Sequence, residues 1–226
     1  MFIVEDDPKS VIAESYKTLR TNIQYSSLDK KLQTIVVTSS EPGEGKTTTA
    51  CNLALSFAQS SKKTLLIDCD LRKPTIHKQF KISNLVGLSD VLIEKEEVKN
   101  ILVNYNDFLD VLSSGHISPN PSEMLSSNAM SNLLNELKEE YEVIILDSAP
   151  LLAVTDAQLL SVKADGTILV VKADKTKKDC VVQAKGLLEK VNANLLGLVL
   201  NKVERASRKY YYYYGEDGEK RKKKNK

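Results

Sequence analysis

The segment SEPGEGKTTT at 40–49 brings two glycines, a lysine and three threonines into ten residues. That mixture can hold a phosphate. Glycines let the backbone curl until its N–H groups converge on phosphate oxygens, and a helix that begins directly afterwards adds its own amides and dipole. Gly43, Glu44 and Gly45 would form the turn, and Lys46 would reach the β and γ phosphates of a nucleoside triphosphate. Thr47 would place its hydroxyl on Mg²⁺, with Thr48 beside it. The formal pattern G-x-x-x-x-G-K-[ST] asks for glycine where the chain has Ser40. Serine is small enough for a turn, and the apolar run before the loop supplies the required strand.

Carboxylates stand at two further strand ends. LLIDCDLRKP puts Asp68 and Asp70 at the tip of one apolar run, and VIILDSAP puts Asp147 at the tip of another. Along an extended chain, alternate side chains point the same way, so Asp68 and Asp70 share a direction. One such acid could be a helix cap. Three beside a phosphate loop suit phosphoryl transfer, which needs positioning, charge neutralisation and a proton acceptor. Thr47, Asp68 and Asp147 are the expected metal residues, and Lys46, Asp68 and Asp70 the expected catalytic set. Spacing leaves open which aspartate takes the proton.

These residues require strands to position them. QTIVVTS (33–39), TLLID (64–68), FLDVLSSG (108–115), EVIILD (142–147), TILVV (167–171) and LLGLVLN (195–201) are short β-branched or apolar runs. Helical spacing falls between them at 47–60, 130–140, 156–162 and 178–191. The alternation predicts one α/β domain of the P-loop NTPase type: a mostly parallel sheet with helices on both faces, joined by right-handed crossovers. In such a sheet the strand tips share one edge, where ligands bind. An N-terminal helix is expected over 9–25, with Val11, Ile12, Leu19 and Ile23 on its apolar face. The Gly, Pro and Ser-rich stretch 114–127 reads as a loop entering a helix near Ser122 or Glu123. Thr155 and Asp156 read as a helix cap.

Bulk properties bound the function. The chain has 226 residues, 42% hydrophobic and 27% charged, as in an ordinary globular protein. The apolar runs stop well short of the ~18 residues of a membrane span. Acids in MFIVEDDPKS argue against an export signal and for the cytoplasm. Cys51, Cys69 and Cys180 lack paired spacing and suggest reduced, inert thiols. The formal charge of +2 conceals a local +6 over 202–226 against −4 for the rest. That tail, SRKYYYYYGEDGEKRKKKNK, carries five consecutive tyrosines, and the expected division is 1–203 as domain and 204–226 as tail.

Taken together, SSEPGEGKTTTACNLA, LLIDCDLRKP, VIILDSAP, PNPSEML and the tyrosine cluster resemble the bacterial tyrosine kinases of capsule and exopolysaccharide synthesis. The likeness spans nearly the whole chain. It implies ATP and Mg²⁺ as cofactors, and autophosphorylation of Tyr210, Tyr211, Tyr212, Tyr213 and Tyr214 between subunits of a ring-shaped homo-oligomer. It also implies a membrane-embedded activator that recruits the kinase to the inner face of the membrane, and a cognate tyrosine phosphatase; no nucleic-acid partner is expected. Asn201 in LNKV falls where related ATPases contact adenine, though a polar residue ending a strand is the plainer reading. The family's ring motif E-x-x-R-x-x-R is matched by Glu14, Lys17 and Arg20, with lysine for one arginine. Lysine cannot reproduce a bidentate arginine contact, and the same spacing also makes intrahelical ion pairs. Two rivals share the fold or the motifs: a partitioning-type ATPase switch, and a catalytically silent adaptor. The first usually carries an early lysine in the loop, where this chain has Ser39-Ser40-Glu41. The complete set of lysine, threonine and three aspartates argues against the second.

Overall fold

A computed structural model describes residues 2–26 and 32–203. Among these described residues seven strands form one sheet: β1 (Thr34–Ser39), β2 (Thr64–Asp68), β3 (Val103–Asn106), β4 (Leu109–Leu112), β5 (Val143–Asp147), β6 (Gly166–Lys172) and β7 (Leu195–Asn201). Their order is β3-β4-β2-β5-β1-β6-β7, parallel throughout except for the β3–β4 pair. The central strands β1, β2 and β5 are buried at every residue, which is why they read as continuous apolar runs.

Among the described residues ten helices accompany the sheet: α1 (Ile3–Asp6), α2 (Val11–Tyr25), α3 (Lys46–Ala58), α4 (Ile76–Phe80), α5 (Leu88–Leu92), α6 (Val98–Ile101), α7 (Pro121–Ser126), α8 (Asn128–Glu140), α9 (Asp156–Lys163) and α10 (Lys178–Lys190). Alternation along β1 divides the core. Ile35 and Val37 pack in a cluster with Leu53, Phe57 and Ile76, while Val36 joins Leu65, Leu134 and Leu146 on the opposite face. No helix among the described residues is long and apolar enough to cross a membrane.

The expected α/β sheet is present, and its central strands fall where the apolar runs placed them. The run 108–115 differs: it contains only β4, and an antiparallel edge strand, β3, precedes it across a two-residue turn. Half-buried and polar, VNYN gave no strand signal. The N-terminal helix begins at Val11, capped by Ser10. Its inner face is Ala13, Tyr16, Leu19 and Ile23, so the expected Leu19 and Ile23 pack inward while Ile12 is 53% exposed. Four turns of short helix, α1 and α4 to α6, lie below the length at which periodicity is visible.

Candidate active site

The phosphate loop joins β1 to α3. Gly45 caps α3 at φ +98° and Gly43 sits at φ +80°, both in the left-handed region that favours glycine. A Cβ on Gly45 would lie 2.0 Å from Asn201 Nδ2, so the position admits glycine only. That close approach has a purpose: Asn201 Nδ2 donates to the Glu44 carbonyl at 2.9 Å, and Lys202 Nζ donates to the Gly43 carbonyl at 3.2 Å. Glu44 is itself buried and accepts from Glu41 N and from Thr176 Oγ1. The loop is therefore held by its own backbone, by the turn after β6 and by the end of β7. The N-terminal amides of the 13-residue α3, at Lys46 to Thr48, have no carbonyl one turn before them inside the helix and are available to an anion.

Register brings the carboxylates to this edge. Asp68 pairs with Asp147 across β2 and β5, and Val37 of β1 pairs with Asp147. Asp68 is fully buried and accepts three amides: Oδ1 from Asp70 N at 3.2 Å, Oδ2 from Thr75 N and Ile76 N at 3.0 Å each. Lys46 Nζ stands among the acids, 2.9 Å from Asp70 Oδ2 and 3.8 Å from Asp147 Oδ1. Asp70 Oδ1 also accepts from Lys73 N, which fixes its rotamer. Burial opposes the charge on Lys46, and Asp147, Asp70 and Asp68 more than offset it, so the ammonium is retained. Burial, then the nearby Asp147, pushes Asp68 up to about 7; burial likewise raises Asp147 to about 6, against the pull of Lys46.

Asp147 has the surroundings of a cation ligand. Both of its oxygens are buried and make no close hydrogen bond, and the polar groups that face them are Lys46 Nζ, 3.8 Å from Oδ1, and the Thr47 hydroxyl. A carboxylate left in that state is costly unless a cation or ordered water completes it. Among the described residues no three acidic, His or Cys side chains form a metal cage by themselves. Mg²⁺ does not need one, since it keeps waters and takes one or two carboxylates together with phosphate oxygens. Thr47 and Asp147 fit that donor set.

A third feature is a polar node that the sequence did not suggest. Asp156, fully buried, receives Arg72 through Nε at 2.8 Å and Nη2 at 3.1 Å, and Ser122 Oγ donates to it at 2.7 Å. The expected helix cap is thus corrected: Thr155 makes no capping bond and Asp156 spends its oxygens on Arg72 and Ser122. Asp156 lies 84 residues from Arg72, and no local pattern signals a pair of that separation. The node ties the loop after β2 to α7 and α9. Arg72 also lines a cleft of about 520 Å³ that contains Lys46, Thr47, Thr48 and Asp70. A larger cavity, about 810 Å³, lies beyond α7 between Ile93, His116, Ile117 and Met124 and holds none of the predicted site residues.

The remaining predicted residues fall elsewhere. Glu14 and Lys17 form an intrahelical pair at 2.6 Å, and Arg20 Nη1 donates to the Ser56 carbonyl of α3, so Arg20 braces its own subunit. Tyr210 to Tyr214 lie outside the described residues.

Residues 32–196 match a sequence family described as an AAA domain. The tyrosine-protein kinase YwqD of Bacillus subtilis is 47% identical over 200 residues, 88% of this chain and 84% of that protein. The putative tyrosine-protein kinase CapB of Staphylococcus aureus is 40% identical, with 88% of each chain covered. Among solved structures, the chimerical protein CapA2B2 superposes with a TM-score of 0.86 at 42% identity, covering 90% of both chains. The septum site-determining protein MinD of Pyrococcus horikoshii, 22% identical with a TM-score of 0.64 over 78% of this chain and 72% of its own, shares the fold.

Proposed function

The chain belongs to the bacterial tyrosine-protein kinases, and on that premise we propose that it is an autokinase whose substrate is its own C-terminal cluster, Tyr210 to Tyr214, presented by a neighbouring subunit. The carrying observation is the arrangement of Lys46 between Asp70 and Asp147, beside an Asp68 that three amides hold in place. ATP lies in the cleft with its phosphates on the α3 amides and Lys46. Thr47 and Asp147, with Asp68 nearby, would hold Mg²⁺, which would supply neutralisation of the phosphate charge when bound. The tyrosine oxygen attacks the γ phosphorus, the new O–P bond replaces the bond to the β-phosphate oxygen, and ADP leaves. Asp68 takes the phenolic proton. A carboxyl raised to about 7 suits a general base working near neutral pH. Asp70 positions Lys46.

Tyr210 follows Asn201 by nine residue steps, a reach of roughly 30 Å at ~3.3 Å per residue, enough for a neighbour's cleft. The subunits form a ring on α2, with Glu14, Lys17 and Arg20 exchanging their bonds within the subunit for contacts with the neighbour. A membrane-embedded activator recruits the enzyme to the inner face of the membrane for capsule or exopolysaccharide synthesis, and a tyrosine phosphatase resets it. The similarity to a chimerical CapA2B2 protein supports the need for a partner.

The test is incubation of pure protein with Mg-ATP, with and without an activator fragment, and mass spectrometry of 204–226. Phosphate on Tyr210 to Tyr214 is expected, together with its loss in Lys46→Met and Asp68→Ala. ATP turnover with an unmodified tail would favour the partitioning-type switch. Mixing Lys46→Met subunits that keep their tyrosines with active subunits bearing Phe tails should label the inactive partner; an unlabelled partner contradicts transfer between subunits.

A further inference from the structure

Lys202, one residue beyond β7, lines the same cleft as Lys46 and Thr47. Its backbone lies at φ +57°, a conformation residues with a Cβ seldom adopt. Two contacts keep it there: Asn201 Oδ1 accepts from Lys202 N at 2.9 Å, and Lys202 Nζ donates to the Gly43 carbonyl at 3.2 Å. Asn201, in turn, is fastened to Glu44. The ammonium is thereby placed on the phosphate loop although it comes from the far end of the sequence.

The charge balance of the cleft shows what this cation lacks. Lys46 faces Asp70 and Asp147, and Arg72 is held by Asp156. From Ser39 to Lys46 the chain contributes two acids, Glu41 and Glu44, and no other base. Among the cleft's described cations, Lys73 and Lys202 have no carboxylate partner, and of these Lys202 is the one bonded to the loop. Its acceptor is a neutral carbonyl, which satisfies one of three N–H donors and none of the charge.

We propose that Lys202 is a second nucleotide-binding lysine, contacting the polyphosphate of ATP or ADP from the end of β7. The proposal rests on the cleft being a nucleotide site. It has a structural consequence: bound nucleotide fastens the root of the tail, eight residues before Tyr210, to the phosphate loop.

Equilibrium titration of the full chain with Mg-ATP, Mg-ADP and adenosine tests it. Lys202→Gln should weaken ATP and ADP about tenfold and leave adenosine unchanged, the loss expected for one charge-assisted hydrogen bond. Lys202→Gly, which tolerates the left-handed backbone, should do the same, and Lys202→Arg should recover most of the affinity. The wild-type affinity should also fall more steeply with salt than that of either neutral variant. Wild-type ATP affinity in both neutral variants would overturn the proposal, and so would an equal loss for adenosine, which would place Lys202 at the base. Because these are binding measurements, wild-type protein that binds ATP without phosphorylating its tail would defeat the kinase reading and leave this one standing.

Discussion

Under the proposed function, Asp147 sets stability against metal binding at one carboxylate. Its folded-state pKa is raised, so the free protein gains from the neutral form: that contribution is present below the ordinary carboxylate range and lost as pH rises through about 6. Asp147→Asn mimics the neutral form at every pH. The free variant should therefore melt higher than wild type at pH 8, by about 1–3 kcal/mol, with the gap closing near pH 4. The same variant should lose Mg²⁺-dependent strengthening of ATP binding. Thermal melts across pH and titrations with and without Mg²⁺ check both halves. A free variant that is less stable at pH 8 would mean that Lys46 outweighs burial there. Lys46 and the two strand-tip aspartates were legible because residue type, spacing and a preceding apolar run coincide. Arg72 with Asp156 was not, because a contact between residues far apart in sequence leaves no periodic trace.

At the scale of elements, the Arg72–Asp156–Ser122 node fastens α7 and α9 beside the cleft. Removing the buried carboxylate should cost roughly 2 kcal/mol, less than a fully buried pair because Arg72 can reach water. Asp156→Ala should accordingly melt several degrees lower. Ser122→Ala, which removes one neutral donor, should lose about 1 kcal/mol. Equal stability of all three proteins would remove the node's structural role.

A second junction lies at the opposite end of β1. Asp165 Oδ2 accepts from Gln33 N and from Thr34 N and Oγ1, and Oδ1 meets Lys138 at 3.2 Å. Burial pushes this carboxyl up, but the Thr34, Lys138 and Gln33 bonds prevail and hold it below its usual value. Its stabilisation is thus complete above the ordinary carboxylate range and lost as pH falls through the lowered value. Asp165→Asn should destabilise by about 1–3 kcal/mol at pH 7 and by progressively less below pH 4, read from chemical denaturation at each pH. Strand and helix existence was readable from period and composition. Edge strand β3 and the short helices were not, since half-buried polar residues and single turns carry little periodicity.

For the whole molecule, the proposed ring makes a demand on α2. Arg20 is committed to α3 and Lys17 to Glu14, so a ring built on α2 would have to recruit these side chains from existing bonds. Edge strand β7 meanwhile exposes Leu198 and Leu200, an apolar margin beside α2. Phosphates on five tyrosines would add roughly −8 to −10 to a tail that starts at +6. If that positive charge docks the tail on a neighbour, phosphorylation should lower the oligomer's mass by light scattering; identical masses would break the link.

The sequence by itself determined the class of sheet, the phosphate loop, the two strand-tip acids Asp68 and Asp147, and Asp70 just beyond β2, because each depends on residue type and near neighbours. Only the tertiary structure decided what β7 contributes. Pairing β7 beside β6, next to β1, carries Asn201 and Lys202 onto a loop more than 150 residues earlier. The fold also gives Asp68 and Asp70 different surroundings: the amides of Thr75 and Ile76 claim one and Lys46 the other. Local chemistry is written in local sequence, whereas strand order and burial set which distant groups share a dielectric environment and therefore feel one another's charge.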